Sequence, residues 1–168
     1  MRTTMLIGSH LQVAKSGIHG LGLFTRRQLA CGESIFQITG VLKQAPYDAR
    51  YWIGQRWLSV GPNLWIDPGS GSATRYLNHA CEPNVAWRDD GWVAAISAIP
   101  EAAELVIDYS TTELDPHWRL DCKCGTSRCR RLVLPGYRES PRIRETLATL
   151  TPEFIRKYWP ILSPGMLY

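Results

Sequence analysis

Two short stretches concentrate the side chains able to do chemistry. Residues 75–84 read RYLNHACEPN and place Asn78, His79 and Cys81 within four positions, with Pro83 and Asn84 stiffening the exit. Residues 121–131 read DCKCGTSRCRR and carry Cys122, Cys124 and Cys129. The polar residues of 75–84 fall on every face, so neither a helical nor a strand period explains them. Three thiolates spaced Cys-x-Cys-x4-Cys are one ligand short of the four that a tetrahedral structural zinc takes. The candidates for the fourth are Cys31, Cys81 and the histidines. Cys31 sits in LACGES, a turn before a strand, and is expected to be a small buried hydrophobe. Cys81 has the richer context, in a loop fixed by Pro83 and crowded with polar groups. One Zn2+ on Cys81, Cys122, Cys124 and Cys129 would clamp the later segment onto the body of the domain.

The elements that must position these residues are mostly β. HLQVAKS, ESIFQITGVL, WLSV, LWID, NVAW, WVAAISAI and ELVIDYS are short, β-branched or aromatic runs separated by Gly, Pro, Asn and Asp. WLSV–GPN–LWID and NVAWR–DDG–WVAAI predict hairpins. Residues 45–56 predict one short helix and 71–77 a single helical turn. Further on, Ser140-Pro141 and Thr151-Pro152 each set an N-cap before a proline, predicting two short helices. The expected division is a main domain over 1–116, a cysteine-bearing segment over 117–135 and a short helical tail over 136–168.

Length and composition narrow the class. The chain has 168 residues, of which 45% are apolar, which suits one globular domain with a real core. No run of 18 apolar residues predicts a membrane span. The N-terminus lacks the pattern of a signal peptide, so the expected compartment is cytoplasmic and reducing, where five cysteines read as thiols or metal ligands. Net charge is +4 but uneven: from His117 onward there are ten Lys/Arg against four Asp/Glu. Those basic residues form no block and accompany no nucleic-acid motif, so nucleic acid is not the expected ligand. The mildly acidic remainder suits a basic peptide. Seven tryptophans leave room for an interface, a homodimer among the options.

Four pieces, in order, resemble the SET-domain protein lysine methyltransferases: SGIHGLGLFTRRQLACGESI at 16–35, GSATRYLNHACEPNVAW at 71–87, IPEAAELVIDYS at 99–110 and CKCGTSRC at 122–129. The last is similar to the family's post-SET cysteine cluster. The resemblance covers roughly residues 8–132 and implies a SET fold of small sheets around a knot-like crossing. It also implies Cys81 as the fourth zinc ligand, S-adenosyl-L-methionine as cofactor, and a protein or peptide substrate presenting a lysine, histone-like tails included.

The reaction implied is methyl transfer to a lysine ε-amine. It needs a neutral amine, alignment of nitrogen, methyl and sulfur, and exclusion of water. A free lysine has a pKa of about 10.4, so the site must favour its uncharged form. Tyr109 takes the catalytic role by resemblance, orienting the amine. Asn78 and His79 would bind the cofactor, with Ile18, His19, Gly20 and Leu21 lining it through main chain, Arg75 near its carboxylate and Lys123 over the adenine. The substrate channel would include Ile107, two residues before Tyr109 and on the same face of a strand. Where the family carries a further channel tyrosine, this chain offers Trp57, with Tyr51 close by. Ile107 has no hydroxyl to anchor the amine and is smaller than the usual Phe or Tyr, which predicts di- or trimethyl-lysine as product. No pre-SET cluster or reader module is apparent, so the expectation is a minimal, stand-alone enzyme. The competing expectation is a non-catalytic, zinc-stabilised module binding a basic peptide or nucleic acid, which would be expected to lose Tyr109 or the Asn-His pair.

Overall fold

The structure is a computed structural model that describes residues 5–6, 9–47 and 57–163. Short strands and tight turns produce several small sheets rather than one large one. The strands β1 (Met5–Leu6), β2 (Leu11–Lys15) and β3 (Leu21–Thr25) form an antiparallel meander. In β2 the period of two sends Leu11 and Val13 into the core. A second sheet has the order β4 (Ser34–Gln37), β10 (Trp92–Ala95), β9 (Val85–Trp87), and a third the order β5 (Val41–Gln44), β7 (Leu64–Asp67), β6 (Leu58–Gly61). Both expected hairpins are present, as β6–β7 and β9–β10. Their turns use residues that tolerate positive φ, Asn63 at 57° and Gly91 at 86°.

ESIFQITGVL does not form one strand. It breaks after Gln37, and its halves join different sheets. Gly40 explains the break, because a Cβ there would overlap the Asp67 carbonyl and press on Ile66 of β7.

The arrangement that builds the site is the extension of the first sheet by β11 (Glu104–Ile107) and β8 (Asn78–His79), in the order β1-β2-β3-β11-β8. β8 runs parallel to β11, with Val106 opposite Asn78 and Ile107 opposite His79. Asn84 prolongs this ladder with its side chain. Its Oδ1 accepts the Val106 N–H at 2.9 Å and its Nδ2 donates to the Glu104 carbonyl at 2.8 Å. An amide side chain thereby stands in for one more peptide unit and fixes the exit of the 75–84 stretch. The expected helical turn at its entrance is the 3₁₀ turn Ala73–Tyr76, capped by the Ser72 side chain.

β11 ends at Ile107, and Tyr109 opens a separate 3₁₀ turn, Tyr109–Thr111. The Asp108 side chain sets this turn by accepting the Ser110 N–H at 3.0 Å. Strand alternation therefore does not put Ile107 and Tyr109 on one face. The turn brings them into the same cavity instead.

Residues 117–135 contain the two-stranded ladder β12 (Leu120–Asp121) with β13 (Leu132–Val133). The tail then forms α1 (Pro141–Ala148), α2 (Glu153–Arg156) and α3 (Trp159–Leu162). α1 begins at Pro141 as expected, but Ser140 makes no side-chain cap. α2 begins one residue beyond the expected proline, and Asp89 Oδ1 of the β9–β10 hairpin accepts its Glu153 N–H at 2.6 Å. Phe154 packs edge-on against Trp87 with centroids 4.9 Å apart, so the tail is fastened to the main core. The helix expected over 45–56 lies mostly outside the described residues, as does Tyr51. Among the described residues no helix is long and apolar enough to cross a membrane.

Candidate active site and metal centre

A cavity of about 510 Å³ opens between the loop at Ile18 and His19, the Ala73–Tyr76 turn with β8, and the segment running from Tyr109 to Lys123. Its volume lies in the range of small-molecule and cofactor pockets. Hairpin β6–β7 closes another side through Leu58 and Trp65, with Trp57 just before β6.

The loop beside Ile18 and His19 is held by a chain of polar contacts. Ser16 Oγ donates to the Glu104 carboxylate at 2.8 and 2.9 Å and accepts the N–H groups of Ile18 and His19 at 2.8 and 3.2 Å. Asn78 Nδ2, almost fully buried, donates to the His19 and Leu21 carbonyls at 3.2 and 3.1 Å and to Glu104 Oε1 at 2.7 Å. Gly22 is required where Glu104 crosses, because a Cβ there would overlap that carboxylate. The main chain of the loop is thus fixed by side chains from positions 78 and 104.

His79 joins the cavity to the cysteines. Its Nδ1 accepts the Tyr109 N–H at 3.1 Å, which assigns the ring proton to Nε2, and Nε2 faces Cys81 Sγ at 3.4 Å. Burial keeps this imidazole neutral, lowering its pKa to about 4, although Asp108 Oδ1 at 3.6 Å acts the other way and Arg130 reinforces the depression. Tyr109 itself is half-buried. Its hydroxyl donates to the Leu77 carbonyl at 2.6 Å, and its ring lies 5.4 Å from His79 and 6.3 Å from Trp118.

The sulfurs of Cys81, Cys122, Cys124 and Cys129 lie within 4.8 Å of one another. Four sulfurs bound about 2.3 Å from a common zinc stand about 3.8 Å apart. The Cys81–Cys122 separation is 3.8 Å. Main-chain N–H groups of Arg130 and Cys124 point at Cys81 and Cys122 sulfurs from 3.3 and 3.4 Å, and such donors stabilise thiolate ligands. The donor set and spacing fit a structural zinc. Cys31 stands apart. Contrary to expectation it is exposed, with its thiol reaching only the Ile96 carbonyl at 3.5 Å, because its turn lies at the surface.

The cysteine segment also grips the residue before Tyr109. Arg130 donates through Nη2 to both Asp108 oxygens, at 2.6 and 2.7 Å, and pairs with Glu139 at 3.1 Å. These three side chains are 10% exposed or less, so removing one partner of the network costs more than breaking a surface ion pair.

The SET domain family model matches residues 20–110, more than half of the chain. The chain belongs to the SET domain family. Histone-lysine N-methyltransferase trithorax of Drosophila virilis is 30% identical over 140 residues, which is 74% of this chain and 4% of that protein. Human histone-lysine N-methyltransferase 2B is 31% identical over 137 residues, 72% of this chain and 5% of that protein. The H3 lysine-4 specific histone-lysine N-methyltransferase of Saccharomyces cerevisiae is 32% identical over 134 residues, 70% of this chain and 12% of that protein. The chain therefore spans only 4–12% of the length of these relatives. Among solved structures, KRYPTONITE in complex with mCHG DNA and SAH superposes with a TM-score of 0.59 at 24% identity, over 76% of this chain and 30% of that one. That likeness is one of fold.

In this SET domain the cavity wall includes Ile18, His19, Arg75, Asn78, His79, Ile107, Tyr109, Trp57 and Lys123. Gly20 and Leu21 are not among the lining residues. Their carbonyls instead accept from Ser16 and Asn78, one layer behind. Sequence reasoning missed Trp65, Trp118, Glu113 and Asp115, which also line the cavity, and the bracing residues Ser16, Glu104, Asp108 and Arg130. Ser16, Glu104 and Asp108 lie inside the resembling pieces, so a motif-wide reading could have raised them. Glu113 in TTELDP carried no such signal.

Proposed function

We propose that the chain transfers methyl groups from S-adenosylmethionine to the ε-amine of a lysine in a protein substrate, giving di- or trimethyl-lysine. The observation that carries the reading is the convergence of Tyr109, Asn78, His79 and the Ile18–His19 main chain on one cavity, with a four-thiol cluster against it. The names of the relatives point the same way, and they favour a histone-like basic tail as substrate. Retention of all three motif side chains in one cavity weighs against a purely binding module.

The cavity suits the cofactor on chemical grounds. Asn78 and Ser16 hold the Ile18–His19 backbone rigid, Arg75 offers positive charge for a carboxylate, and Trp118 and Leu120 offer apolar cover for a base. Bound there, S-adenosylmethionine supplies an electrophilic methyl group on a sulfonium. Tyr109 directs its proton to the Leu77 carbonyl, which leaves phenol lone pairs to accept an amine N–H and aim the nitrogen lone pair. Neutral His79 holds the Tyr109 backbone through Nδ1, so the phenol is located from both ends. Such alignment can supply roughly 7–11 kcal/mol of a barrier in good cases. Zinc held by Cys81, Cys122, Cys124 and Cys129 would lock residues 120–133 against the cavity. Ile107, buried and without a hydroxyl, leaves a methylated nitrogen free to rotate for another transfer.

Labelling a cell lysate with radiolabelled S-adenosylmethionine and the purified chain tests the reading. Transfer of label to lysine is expected, with a drop of roughly tenfold to a thousandfold for Tyr109→Phe, equivalent to about 1.4–4 kcal/mol of transition-state stabilisation. Label transfer undiminished in Tyr109→Phe would remove Tyr109 from catalysis. Mass spectrometry of a fully converted peptide should show two or three methyl groups, and Ile107→Tyr should shift the product toward one.

A further inference from the structure

Glu113 lines the cavity yet is only 8% exposed. Its Oε1 accepts Ser59 Oγ at 3.0 Å and the N–H groups of Leu114 and Asp115, both at 2.8 Å. All three donors meet one oxygen, which leaves Oε2 for the cavity. Among the described residues no cation pairs with it. Buried carboxylates are ordinarily paired with a positive charge, and the described residues supply none for this one. Trp57, Trp65 and Trp118 line the same cavity, and aromatic faces favour cations. The segment carrying Glu113 is also tied directly to the Tyr109 turn. Thr112 N–H donates to the Tyr109 carbonyl at 3.0 Å, while Ser59 N–H donates to the Thr112 carbonyl at 3.2 Å.

Resting on the methyl-transfer reading, we propose that Glu113 meets the ε-ammonium of the incoming lysine inside the cavity and takes its proton, delivering a neutral amine to Tyr109. An Oε2 lone pair forms the new O–H bond, the N–H bond breaks, and its electron pair stays on nitrogen as the lone pair that attacks the methyl carbon. The carboxylic acid then returns its proton to water, so one proton leaves for each methyl transferred. The described titratable groups facing Glu113 are Asp115 on its own segment, Tyr47, and Tyr137 of the 3₁₀ turn Gly136–Arg138. Burial keeps both phenols protonated at neutral pH. Burial also pushes the Glu113 carboxyl up to about 7, against its three hydrogen bonds, and Asp115 adds to the rise. A carboxylate balanced near neutrality is well matched to accepting and releasing a proton.

The test uses the full chain with S-adenosylhomocysteine and follows tryptophan indole NMR signals during titration with n-butylammonium or 1-butanol at pH 8. Wild type should bind n-butylammonium, Glu113→Gln at least tenfold more weakly, and 1-butanol should not distinguish the two. The amide of the Glu113→Gln variant keeps an oxygen where Oε1 accepts its three hydrogen bonds, so the fold should hold. Should it not, Glu113→Asp, which retracts the charge by one methylene, gives the same readout. Equal n-butylammonium affinity in the variant, or none in wild type, overturns the proposal. With a labelled substrate, kcat/KM in wild type should fall on the acid side near pH 7, and Glu113→Gln should move that limb to higher pH. An unmoved limb likewise overturns it. Butylammonium binding through Glu113 in a chain that transfers no methyl would sink the methyl-transfer reading and leave this site standing.

Discussion

The cavity wall at Ile18 and His19 is main chain, pinned by Ser16, Asn78 and Glu104, and the donors of that network meet acceptors within it. The wall made by Trp57, Trp65 and residues 112–118 is side chain, and it carries a buried carboxylate with no cationic partner among the described residues. The first wall is satisfied before any ligand arrives and is built to stay still. The second stores an electrostatic cost that an incoming ammonium would relieve. Within one cavity, rigidity and readiness are assigned to different elements. The part proposed to hold a constant cofactor is over-determined, whereas the part proposed to accept a cation has none among the described residues.

Removing the metal that would lock residues 120–133 beside both walls should have the largest effect. The purified chain is expected to carry one zinc per chain. Cys81→Ser and Cys124→Ser should both lose it, release residues 120–133, and cut methyl transfer by at least about a hundredfold, as expected when a structural metal that carries folding energy is removed. Cys31→Ser, exposed and distant from the cluster, should retain both metal and activity. Metal analysis beside the activity assay checks all three, and a zinc-free, active wild type would break the claim.

A smaller loss is expected on breaking the Arg130 network. Arg130→Ala would leave Asp108 and Glu139 buried without their cation, costing about 3–5 kcal/mol by denaturant unfolding at pH 7. The loss should exceed that for Arg88 or Arg156, whose pairs with Asp90 and Glu153 lie in solvent.

Asn78→Ala and Glu113→Gln set the two walls directly against each other. Asn78→Ala removes the side-chain donor to the His19 and Leu21 carbonyls and leaves Glu104 Oε1 to Ser16 alone, and should destabilise by about 1–3 kcal/mol while weakening cofactor binding. Glu113→Gln should do the opposite to stability. The folded carboxyl titrates near 7, above its ordinary value, so the folded state holds its proton more tightly than the unfolded chain. Stability conferred by that proton is fully present at low pH and fades as pH rises toward 7. Glutamine does not titrate, so the variant should gain on the order of 1–3 kcal/mol over wild type at pH 8 and little at pH 4. Thermal unfolding at the two pH values reads the difference. A variant less stable than wild type at both would show that Glu113 serves the fold rather than the ligand.

Ile18, His19 and Asn78 of the first wall were legible in the sequence but its supports Ser16 and Glu104 were not, and of the second wall only Trp57 was. Asn78, His79, Cys81 and Tyr109 are close in chain or lie in the short pieces that carry the family resemblance, so their chemistry shows before folding. The hairpins at 58–67 and 85–95 were equally legible, because turn residues and alternating strands act locally. ESIFQITGVL misled because its break at Gly40 is imposed by β7, which lies far along the chain. The shared cavity of Ile107 and Tyr109 follows from the Asp108-capped turn rather than from strand alternation. Cys31 was misread because burial is a property of the neighbourhood, and its turn happens to lie outside the core.

By itself the sequence determined the identity of the four thiols, the Asn-His pair and the tyrosine, together with the short strands and turns that could bring them near one another. Those features depend on side-chain chemistry and on contacts within a few residues. The tertiary structure alone decided that Arg130 would clasp Asp108, that Asp89 would cap α2, and that Glu113 would lie buried beneath Ser59, 54 positions away. Charge and pKa in a protein are set by what surrounds a group in three dimensions. A lone glutamate in TTELDP has no surroundings until the chain has folded.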